Sequence, residues 1–463
     1  MTTSNSKVLG SSFRDPDGFL FEKEGVLYRQ VNQSGAAGYQ QLMDSGLYQK
    51  LIKAQQIIPH LEADLEPPRP KTAYKILQPE RVPLISYPYE WSFSMLKDAA
   101  LTTLSIQRKA LEAGMTLKDA SAYNIQFMRG KAVLIDTLSF EPYREGQTWD
   151  AYRQFCQHFL APLALMARVD IRLGQLLRVH MDGIPLDLAA SLLSPGMWFN
   201  GGLMMHIGLH ARAQKTYSDP SKPESKPAAR SMKKEGLLAL LDSLRNTVKK
   251  LSWKPAGTEW GDYYNQTNYT DQAFENKRQV LSGWIEKINP AMVWDLGANN
   301  GAFSRIASQA GRFTAAFDID PAAVEQNYRQ VKQAKETHIL PLLQDLTNPS
   351  ANIGWANRER DALAARGPAD LLLALALIHH LALSNNTPLP GISAYLRELG
   401  SSLIIEFVPK SDSQVQKMLA SREDIFPDYT PAGFEAAFSQ HWEIVDRNPV
   451  ADSDRVLYWL RGK

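Results

Sequence analysis

The sequence contains little cysteine and no long uncharged apolar run, and its charges nearly cancel. Cys156 is the single cysteine, which excludes a disulfide framework and a multi-cysteine zinc site. The longest apolar run, Leu371 to Leu383, contains two histidines and is shorter than the ~20 residues of a membrane-spanning helix. No signal-peptide core follows the polar first residues. A net charge of +2 argues neither for nor against an anionic partner. We therefore expect a soluble cytoplasmic protein with no membrane partner.

The length and composition are those of a globular protein with two domains. The chain has 463 residues, 44% hydrophobic and 22% charged, which are average values for soluble proteins. Residues 211–235 combine three prolines with an excess of lysine and arginine, a composition typical of a solvated linker. We therefore predict an α+β domain over residues 1–210, a flexible basic linker over 211–235, and an α/β domain over 236–463. Residues 236–290 would form an arm ahead of its sheet.

The segment Val-Trp-Asp-Leu-Gly-Ala-Asn-Asn-Gly, residues 293–301, is the most informative part of the sequence. An apolar run ends in Asp295, a turn with Gly297 and Gly301 follows, and apolar residues then recur at helical spacing. This pattern predicts a buried parallel strand that leads through a tight turn into a helix, the place where α/β sheets bind nucleotide-like ligands. Glycine is needed in such a turn because a Cβ would hold the ligand off the backbone and disfavour positive φ.

A second predicted strand, Phe313 to Phe317, leads directly to two more carboxylates, Asp318 and Asp320. A carboxylate at this point can accept hydrogen bonds from both hydroxyls of a ribose. A nicotinamide-dinucleotide fingerprint is the alternative, but it would need glycines where the chain has Asn299 and Ala302. The spacing therefore favours a different nucleoside-containing ligand.

From about Thr258 onward the chain resembles the class I S-adenosylmethionine-dependent methyltransferases. Their first motif, Asp-x-Gly-x-Gly-x-Gly, matches Asp295, Gly297, Asn299 and Gly301, with Asn299 in place of the middle glycine. Asparagine tolerates left-handed backbone better than most residues do. The resemblance implies a Rossmann-like, seven-stranded methyltransferase sheet and S-adenosylmethionine as the cofactor.

Later segments follow the order of the same family. A predicted third strand, His338 to Leu343, precedes Asp345, which the resemblance assigns to the adenine amino group. A fourth strand over residues 370–377 has the continuous apolar composition of a strand buried on both faces, and it carries Ala374 to the cofactor site. Segments 444–445 and 456–460 predict the closing antiparallel hairpin.

His379, His380 and Glu406 are the candidate catalytic residues. They lie at the predicted carboxyl ends of the fourth strand and of a fifth strand over residues 402–408, at the edge where open α/β sheets bind ligands. A histidine is the better base because imidazole titrates near neutrality. A base is required only if the acceptor must lose a proton. A core role for one of the histidines is the alternative.

Aromatic residues outside the sheet strands are candidates for a lid over the cofactor or acceptor. Tyr263 and Tyr264 precede the first sheet strand, and Trp355 follows the third. Aromatic faces attract cations such as a sulfonium. Plain packing of the arm on its domain is the alternative for these rings.

The methyl acceptor is not identified by the sequence. The end of the fourth strand lacks the Asn/Asp-Pro-Pro-Tyr/Phe pattern of enzymes that methylate nucleic acids, which argues against a nucleic-acid partner. The whole chain is similar to bacterial nodulation-associated methyltransferases. We therefore expect a small-molecule or glycan-like acceptor, which the N-terminal domain helps to recognise.

Residues 117–137 resemble the catalytic loop and metal-binding segment of protein kinases and aminoglycoside phosphotransferases. The resemblance assigns the base to Asp119 and magnesium ligation to Asn124 and Asp136. The segment departs from the family because Leu117 replaces its histidine and no glycine-rich phosphate loop precedes it. Arg29 is the only candidate for the phosphate-pairing lysine. A hairpin with turn-forming Asp and Asn residues is the alternative.

Three functional hypotheses follow. The first is a methyltransferase, with no bound metal, whose N-terminal domain recognises the substrate. The second is a bifunctional methyltransferase and phosphotransferase. The third is a methyltransferase whose N-terminal domain is an inactive kinase-like adaptor for a protein partner.

Overall fold

The computed structural model describes residues 6–194, 196, 201–209, 231–255, 258, 271–420 and 423–463. Contacts divide the chain into two units. Unit 1 comprises Met1–Lys254 together with Gly354–Glu359, and unit 2 comprises Pro255–Ile353 together with Arg360–Lys463. Most of the predicted linker, residues 211–230, lies outside the described residues.

The strands and helices alternate differently in the two units. The strands are β1 Ser6–Val8, β2 Gly18–Lys23, β3 Val26–Asn32, β4 His60–Ala63, β5 Ala73–Pro79, β6 Met115–Leu117, β7 Ile125–Met128, β8 Lys131–Leu134, β9 Phe140–Pro142, β10 Met292–Leu296, β11 Phe313–Asp318, β12 Ile339–Leu343, β13 Ala369–Ala374, β14 Gly400–Phe407, β15 Trp442–Pro449 and β16 Val456–Gly462. The α-helices are α1 Ala36–Asp44, α2 Leu47–Lys53, α3 Phe93–Glu112, α4 Tyr152–Phe155, α5 Ala161–Arg168, α6 Leu176–Val179, α7 Leu186–Leu192, α8 Gly201–Leu203, α9 Lys234–Lys250, α10 Asp271–Ile288, α11 Ser304–Gln309, α12 Pro321–Ala334, α13 Leu389–Leu399, α14 Ser413–Leu419 and α15 Pro431–Phe438. None of the helices in these ranges is long and apolar enough to cross a bilayer.

Unit 1 begins with an antiparallel sheet of five strands in the order β1-β2-β3-β5-β4. The apolar sequence of Leu84 to Tyr87 predicts a strand, but this prediction is wrong because the segment forms none. Side chains take the hydrogen bonds that a neighbouring strand would take. The backbone nitrogen of Ser86 donates to Gln126 at 2.8 Å, and that of Tyr87 donates to Glu90 at 2.9 Å.

The sequence predicts one helix around residues 39–54, whereas the structure has two helices here, α1 and α2. The chain turns between them at Gly46, whose φ of 72° a residue with a side chain adopts only with strain. After α3, two short hairpins pair β6 with β9 and β7 with β8. The second of these hairpins carries Asn124 and Asp136 just outside its ends.

Helix α9 belongs to unit 1, although our division of the sequence placed it in the second domain. Polar contacts hold it and its C-terminal end against α3. The ammonium of Lys97 donates to the carbonyl oxygens of Lys249 at 2.9 Å and Leu251 at 2.6 Å, and Arg108 forms an ion pair with Asp242. The amphipathic periodicity of α9 predicts a helix but not the partner of its apolar face.

Unit 2 contains a mixed sheet of seven strands in the order β12-β11-β10-β13-β14-β16-β15. The first five strands run parallel, and β16 and β15 form the antiparallel hairpin that the sequence predicts. Strand β13 is buried along most of its length, as its continuous apolar sequence predicts. It ends at Ala374, earlier than predicted, and Ala376 then takes a φ of 50°. The parallel strands place their carboxyl ends at one edge of the sheet.

Candidate functional site

A cavity of about 300 Å³ opens in unit 2 at the carboxyl ends of β10, β11, β12 and β13. Open α/β sheets bind ligands at this edge because the loops that leave the strands diverge there. The residues that line the cavity are Lys277, Asp295, Gly297, Ala298, Asn299, Phe303, Asp318, Ile319, Gln344, Asp345, Leu346, Thr347, Leu375, Ala376, Leu377, His380, Leu381, Ser384 and Asn385.

The structure brings together about half of the residues that the sequence singles out. Those that line the cavity are Asp295, Gly297, Asn299, Asp318, Asp345 and His380. Those described residues that do not line it are Gly301, Asp320, Ala374, His379, Glu406 and Trp355. Trp355 is 71% exposed and belongs to unit 1 by its contacts. Tyr263 and Tyr264 lie outside the described residues.

The turn after β10 brings backbone to the cavity wall. Gly297 has a φ of 76° and Asn299 a φ of 50°, so the asparagine takes the left-handed conformation that its residue type tolerates. The backbone nitrogens of Gly297 and Ala298 both donate to the carbonyl oxygen of Phe317, at 2.9 and 2.8 Å. These two bonds fix the turn on the neighbouring strand β11.

Gly301 serves the packing of this turn, on the side away from the cavity. It has a φ of 80°, and a Cβ there would lie 2.5 Å from the Asn327 amide and 2.7 Å from the Arg305 guanidinium. Arg305 in turn donates to the carbonyl oxygen of Asn300 at 2.8 Å and to Asn327 Oδ1 at 3.0 Å. The glycine is therefore required by the side chains beneath the turn.

Asp318 lies at the end of β11 and is nearly buried. Its carboxylate accepts hydrogen bonds from the backbone nitrogens of Asn299 at 2.7 Å and Asp320 at 2.8 Å. A carboxylate has about four acceptor positions, so Asp318 can accept further donors from a ligand in the cavity. Burial raises the pKa of Asp318 to about 6, against the opposing effect of these backbone hydrogen bonds.

Asp320 caps the helix that follows. Its side chain accepts hydrogen bonds from the backbone nitrogens of Ala322 at 2.7 Å and Ala323 at 3.2 Å, the first residues of α12. Proline at the first position of α12 and an Asp immediately before it are typical of a helix start. Of these two neighbouring carboxylates, Asp318 thus lines the cavity, whereas Asp320 caps helix α12.

Asp295 and Asp345 stand on either side of Asp318 at the same edge. Asp295 accepts a hydrogen bond from the Ser304 hydroxyl at 2.6 Å, and burial raises its pKa to about 6. Asp345 is half-buried after β12 and accepts from both the backbone nitrogen and the hydroxyl of Thr347, at 2.8 and 2.6 Å. Three carboxylates therefore lie at the carboxyl ends of three adjacent parallel strands along the cavity.

Lys277 is a cavity residue that our sequence analysis missed. It lies on α10, is 1% exposed, and donates a hydrogen bond to Glu406 Oε2 at 2.6 Å. Its ammonium also lies 4.5 Å from the centre of the Phe303 ring. One signal could have found it, since Lys277 interrupts the apolar positions Ala273 and Leu281 at helical spacing.

Glu406 is fully buried beneath the site and forms ion pairs with Lys277 and Arg455. Arg455 lies 3.8 Å from Glu406 and donates to Asp412 at 2.8 Å. Both cations are nearly inaccessible to solvent, and each has a carboxylate partner. The environment of Glu406 is therefore that of a buried ion-pair network.

The two histidines differ in access to the cavity. His380 lines it, whereas His379 is buried and its Nδ1 has no hydrogen-bond partner among the described residues. Burial, reinforced by the charge of Arg455, lowers the pKa of His380 to about 4, and burial lowers the pKa of His379 well below its usual value. The argument that these imidazoles titrate near neutrality is thus wrong. At neutral pH both are uncharged, and His380 offers a weakly basic lone pair.

The residues of the kinase-like segment lie in unit 1. Asp136 accepts from Arg29 at 2.5 Å, from the Ser139 hydroxyl at 2.7 Å, and from the backbone nitrogen of Leu138 at 3.0 Å. Burial alone would raise the pKa of Asp136, but Arg29 and these hydrogen bonds outweigh it, and the pKa lies below its ordinary value. Arg29 thus occupies the carboxylate that the resemblance assigns to magnesium.

The other two residues of that segment have local partners. Asp119 accepts from the backbone nitrogen of Ser121 at 2.9 Å, and the Asn124 amide donates to Ser139 at 3.4 Å. Across the part of the chain that the structure describes, no three His, Cys, Asp or Glu side chains are grouped to hold a metal ion.

Comparisons with known proteins give a relative that matches nearly the whole chain, and several distant structures. No family model matches the chain. Magnesium protoporphyrin IX methyltransferase (ChlM) from Synechocystis PCC 6803, solved with bound SAH, is 18% identical with a TM-score of 0.32, over 44% of this chain and 93% of that one. The N-methyltransferase NodS from Bradyrhizobium japonicum WM9 is 12% identical with a TM-score of 0.29, over 42% and 97%. These scores are too low to establish a common fold by themselves.

The whole-chain relative is a protein of Rhizobium meliloti (strain 1021), the nodulation protein NoeA. The two sequences are 36% identical over 461 residues, which cover 97% of this chain and 95% of the relative. This alignment extends along nearly the full length of both chains and therefore covers both units. The chain belongs to the family of the nodulation protein NoeA.

Proposed function

We propose that the chain is an S-adenosylmethionine-dependent methyltransferase that acts on a small-molecule or glycan-like acceptor. The observation that carries the proposal is the cavity at the carboxyl edge of the parallel strands. It unites a glycine turn after β10 with Asp318 after β11 and Asp345 after β12. The sequence interpretation assigns the turn to cofactor binding, Asp318 to the ribose hydroxyls and, by the methyltransferase resemblance, Asp345 to the adenine amino group.

The residues present fit the cofactor in chemistry. Gly297 has no side chain to fill the cavity wall, and an added Cβ would meet Leu377 at 3.2 Å. Asp318 is held from behind by two backbone nitrogens, which leaves acceptor positions for the two hydroxyls of a ribose. The half-buried Asp345 offers a carboxylate for an amino group. These groups would bind and orient the cofactor with little rearrangement of their own.

When bound, the cofactor supplies a methyl group whose carbon bonds to the acceptor atom while the sulfur keeps the electron pair. The contribution of the chain is alignment, which is worth up to ~7–11 kcal/mol when the reacting atoms are ideally placed. Among the described cavity residues that we do not assign to the cofactor, His380 can receive a proton from an acceptor hydroxyl. Because its pKa is about 4, it is unprotonated at neutral pH but provides only a weak driving force.

The decisive experiment is calorimetric titration of the full chain with S-adenosylhomocysteine, with NAD⁺ as the control ligand. We expect one site for S-adenosylhomocysteine and none for NAD⁺. Transfer of labelled methyl groups to a panel of small-molecule and glycan acceptors then tests catalysis. Absence of S-adenosylhomocysteine binding, or equal binding of NAD⁺, would overturn the proposal.

We further propose that unit 1 contains a kinase-like domain without phosphotransferase activity, which serves recognition of the acceptor or of a protein partner. The ion pair of Arg29 with Asp136 supports this, because the guanidinium takes the carboxylate that magnesium would need. A thermal-shift measurement with ATP and magnesium tests it. We expect no stabilisation, whereas ATP turnover would support the bifunctional alternative.

A further inference from the structure

A second cavity, of about 440 Å³, lies in unit 2 next to the cavity at the carboxyl edge of the sheet. Its walls come from the chain that leads from β13 into α13, from the segment that precedes α15, and from α15 itself. The two cavities have no described lining residue in common. Packing voids in protein interiors are seldom larger than a water molecule, whereas ligand sites measure roughly 300–1,000 Å³. The second cavity therefore has the size of a ligand site, and it is separate from the site of the proposed methyl transfer.

One stretch of backbone, residues 380–387, forms a wall of both cavities, and we call it the shared wall. Leu381 lines the first cavity and its neighbour Ala382 lines the second. The same alternation recurs at Asn385 and Asn386. The shared wall begins with a π-helical turn, and Asn386 takes a left-handed φ of 54°. Both conformations are rare and occur frequently at functional sites. A ligand in the second cavity would therefore contact the back of a segment whose front lines the first cavity.

The rest of the lining includes Phe426 and Tyr429, which contacts behind the cavity hold in place. Tyr429 is buried, its hydroxyl donates to the carbonyl oxygen of Val408 at 2.8 Å, and its ring stacks on that of Phe407 with the ring centres 5.1 Å apart. The carbonyl oxygen of Phe426 accepts a hydrogen bond from the Lys410 ammonium at 2.6 Å. Walls that are already fixed lose little conformational entropy when a ligand binds. These contacts favour a preformed ligand site.

The lining carries little charge. Its uncharged polar side chains are two amides and a hydroxyl, from Asn386, Gln440 and Thr387, and Asp428 supplies an exposed carboxylate. The described lining includes no Lys, Arg or His side chain. An anionic ligand would lose hydration there without gaining a cationic partner, which costs free energy. A cationic ligand would gain little from a carboxylate that solvent screens. The lining therefore suits an uncharged molecule with an apolar body and a hydrogen-bonding group.

We propose that the second cavity is a regulatory site for an uncharged molecule with an apolar body and a hydroxyl or amide group, and that its occupancy strengthens cofactor binding. The bound molecule takes no part in methyl transfer. It packs against the back of the shared wall and restricts the residues that line the first cavity, so the chain loses less conformational entropy when the cofactor binds. Such coupling is reciprocal, so the cofactor strengthens binding of the regulatory molecule by the same factor. The regulatory part rests on the proposed binding of S-adenosylmethionine.

Two alanines on α15 provide a matched pair of variants. Ala436 and Ala432 are both exposed, but only Ala436 lines the second cavity. Ala436→Trp adds a large ring at the cavity wall, whereas Ala432→Trp adds the same ring to the same helix away from the lining. Ile425→Asp is a second blocking variant. Ile425 lines the cavity and is 60% exposed, so a charge at this position should block an apolar ligand without disturbing folding.

The measurements use the full chain and two kinds of titration. Nile red, an uncharged apolar fluorophore, reports binding to the second cavity, and 1-octanol, octanoate and octylammonium compete with it. These competitors carry a neutral, an anionic and a cationic end on the same alkyl chain. We expect 1-octanol to displace Nile red at concentrations at least about tenfold below those of the two charged competitors. Calorimetry with S-adenosylhomocysteine should show binding that is tighter by about fivefold or more when 1-octanol is saturating.

The blocking variants should remove the coupling and leave the cofactor site intact. We expect Ala436→Trp and Ile425→Asp to weaken Nile red binding by about tenfold or more, because one overpacks the cavity and the other places a charge against an apolar ligand. Both should bind S-adenosylhomocysteine as the parent chain does without 1-octanol, and added 1-octanol should no longer change that affinity. Ala432→Trp should behave like the parent chain in every titration.

Three results would each overturn the proposal. They are Nile red binding that survives both blocking variants, displacement by a charged competitor at the concentrations that suffice for 1-octanol, and an affinity for S-adenosylhomocysteine that 1-octanol leaves unchanged. Failure of the methyltransferase proposal has a different signature. The parent chain would then not bind S-adenosylhomocysteine at all, while Nile red binding that is still lost in Ala436→Trp would support the site for an uncharged ligand.

Discussion

Lys277 and Glu406 are 129 residues apart in the sequence, and their charged groups meet at 2.6 Å in the buried part of unit 2. Lys277 lines the cavity at the carboxyl edge of the sheet, whereas Glu406 is fully buried and does not line it. Burial lowers the pKa of Lys277, and the charge and hydrogen bond of Glu406 oppose that shift. The ion pair therefore ties helix α10 to strand β14 at the edge of the candidate site.

Removing one member of this ion pair should lower the free energy of unfolding more than removing both members. Lys277→Met leaves the Glu406 carboxylate buried without its hydrogen-bonded partner, and we expect the free energy of unfolding of unit 2 to fall by ~3–5 kcal/mol. Adding Glu406→Leu should recover most of that loss, since Arg455 keeps Asp412 as a partner at 2.8 Å. Differential scanning calorimetry of the full chain measures both variants.

The exposed pair of Lys50 and Glu112, at 2.8 Å, is the matched control. Lys50→Met should change stability by no more than ~1 kcal/mol, because solvent screens an exposed pair. Additive losses in the Lys277→Met, Glu406→Leu double variant would contradict the coupling of the buried pair.

Substitutions of Asp318 and Asp320 should affect different properties, the first ligand binding and the second stability. Asp318→Ala removes the acceptor that we assign to two ribose hydroxyls, each worth ~1.5–3 kcal/mol to a charged group, so S-adenosylhomocysteine binding should become undetectable by calorimetry. Asp320→Ala removes the cap of α12 and should cost ~0.5–2 kcal/mol of stability while the ligand still binds. The reverse order of effects on binding would mean that Asp320 contacts the ligand.

The raised pKa of Asp318 predicts a pH dependence of cofactor binding. Burial places this pKa at about 6. In our proposal the ribose hydroxyls would donate to the ionised carboxylate. Affinity should therefore be full above pH 7 and fall by up to about tenfold per unit as the pH drops below 6, because the ligand competes with a proton. Titration calorimetry between pH 5 and 8 measures the change.

Asp295, whose pKa is also about 6, titrates in the same window. The variant Asp318→Asn is the control that separates the two carboxyls. Binding by this variant should be weak and should lose most of the pH dependence. An affinity for the parent chain that is constant from pH 5 to 8 would contradict a ligand contact at Asp318.

The sequence predicted the edge of the sheet better than the interior beneath it. Apolar runs that end in Asp295, Asp318 and Asp345 define strand ends locally, and parallel strands bring those ends together. The partner of Lys277 could not be predicted this way, because it depends on contact between α10 and β14. The packing role of Gly301 could not be predicted either, because its neighbour Asn327 lies on helix α12, beyond the next strand.

The failed predictions in unit 1 have similar causes. The apolar residues from Leu84 to Tyr87 satisfy a strand pattern, but the Gln126 and Glu90 side chains take their backbone hydrogen bonds. Gln126 is 40 residues from Ser86 in the sequence, so no local pattern contains that contact. The expectation that the histidines titrate near neutrality is wrong for a related reason. The pKa of His380 is lowered by burial and by the charge of Arg455, and both depend on segments that are distant in the sequence.

Asp119→Asn tests whether the kinase-like segment has a catalytic part. Asp119 accepts a hydrogen bond from the backbone nitrogen of Ser121 at 2.9 Å, which the asparagine oxygen can retain, so the change removes charge and basicity with little effect on structure. We therefore expect methyl transfer to stay within about tenfold of the parent, equivalent to ~1.4 kcal/mol of barrier. Because Arg29 occupies Asp136, we expect no magnesium-dependent ATP turnover in either protein. ATP turnover by the parent that disappears in Asp119→Asn would identify Asp119 as a base and establish the bifunctional enzyme.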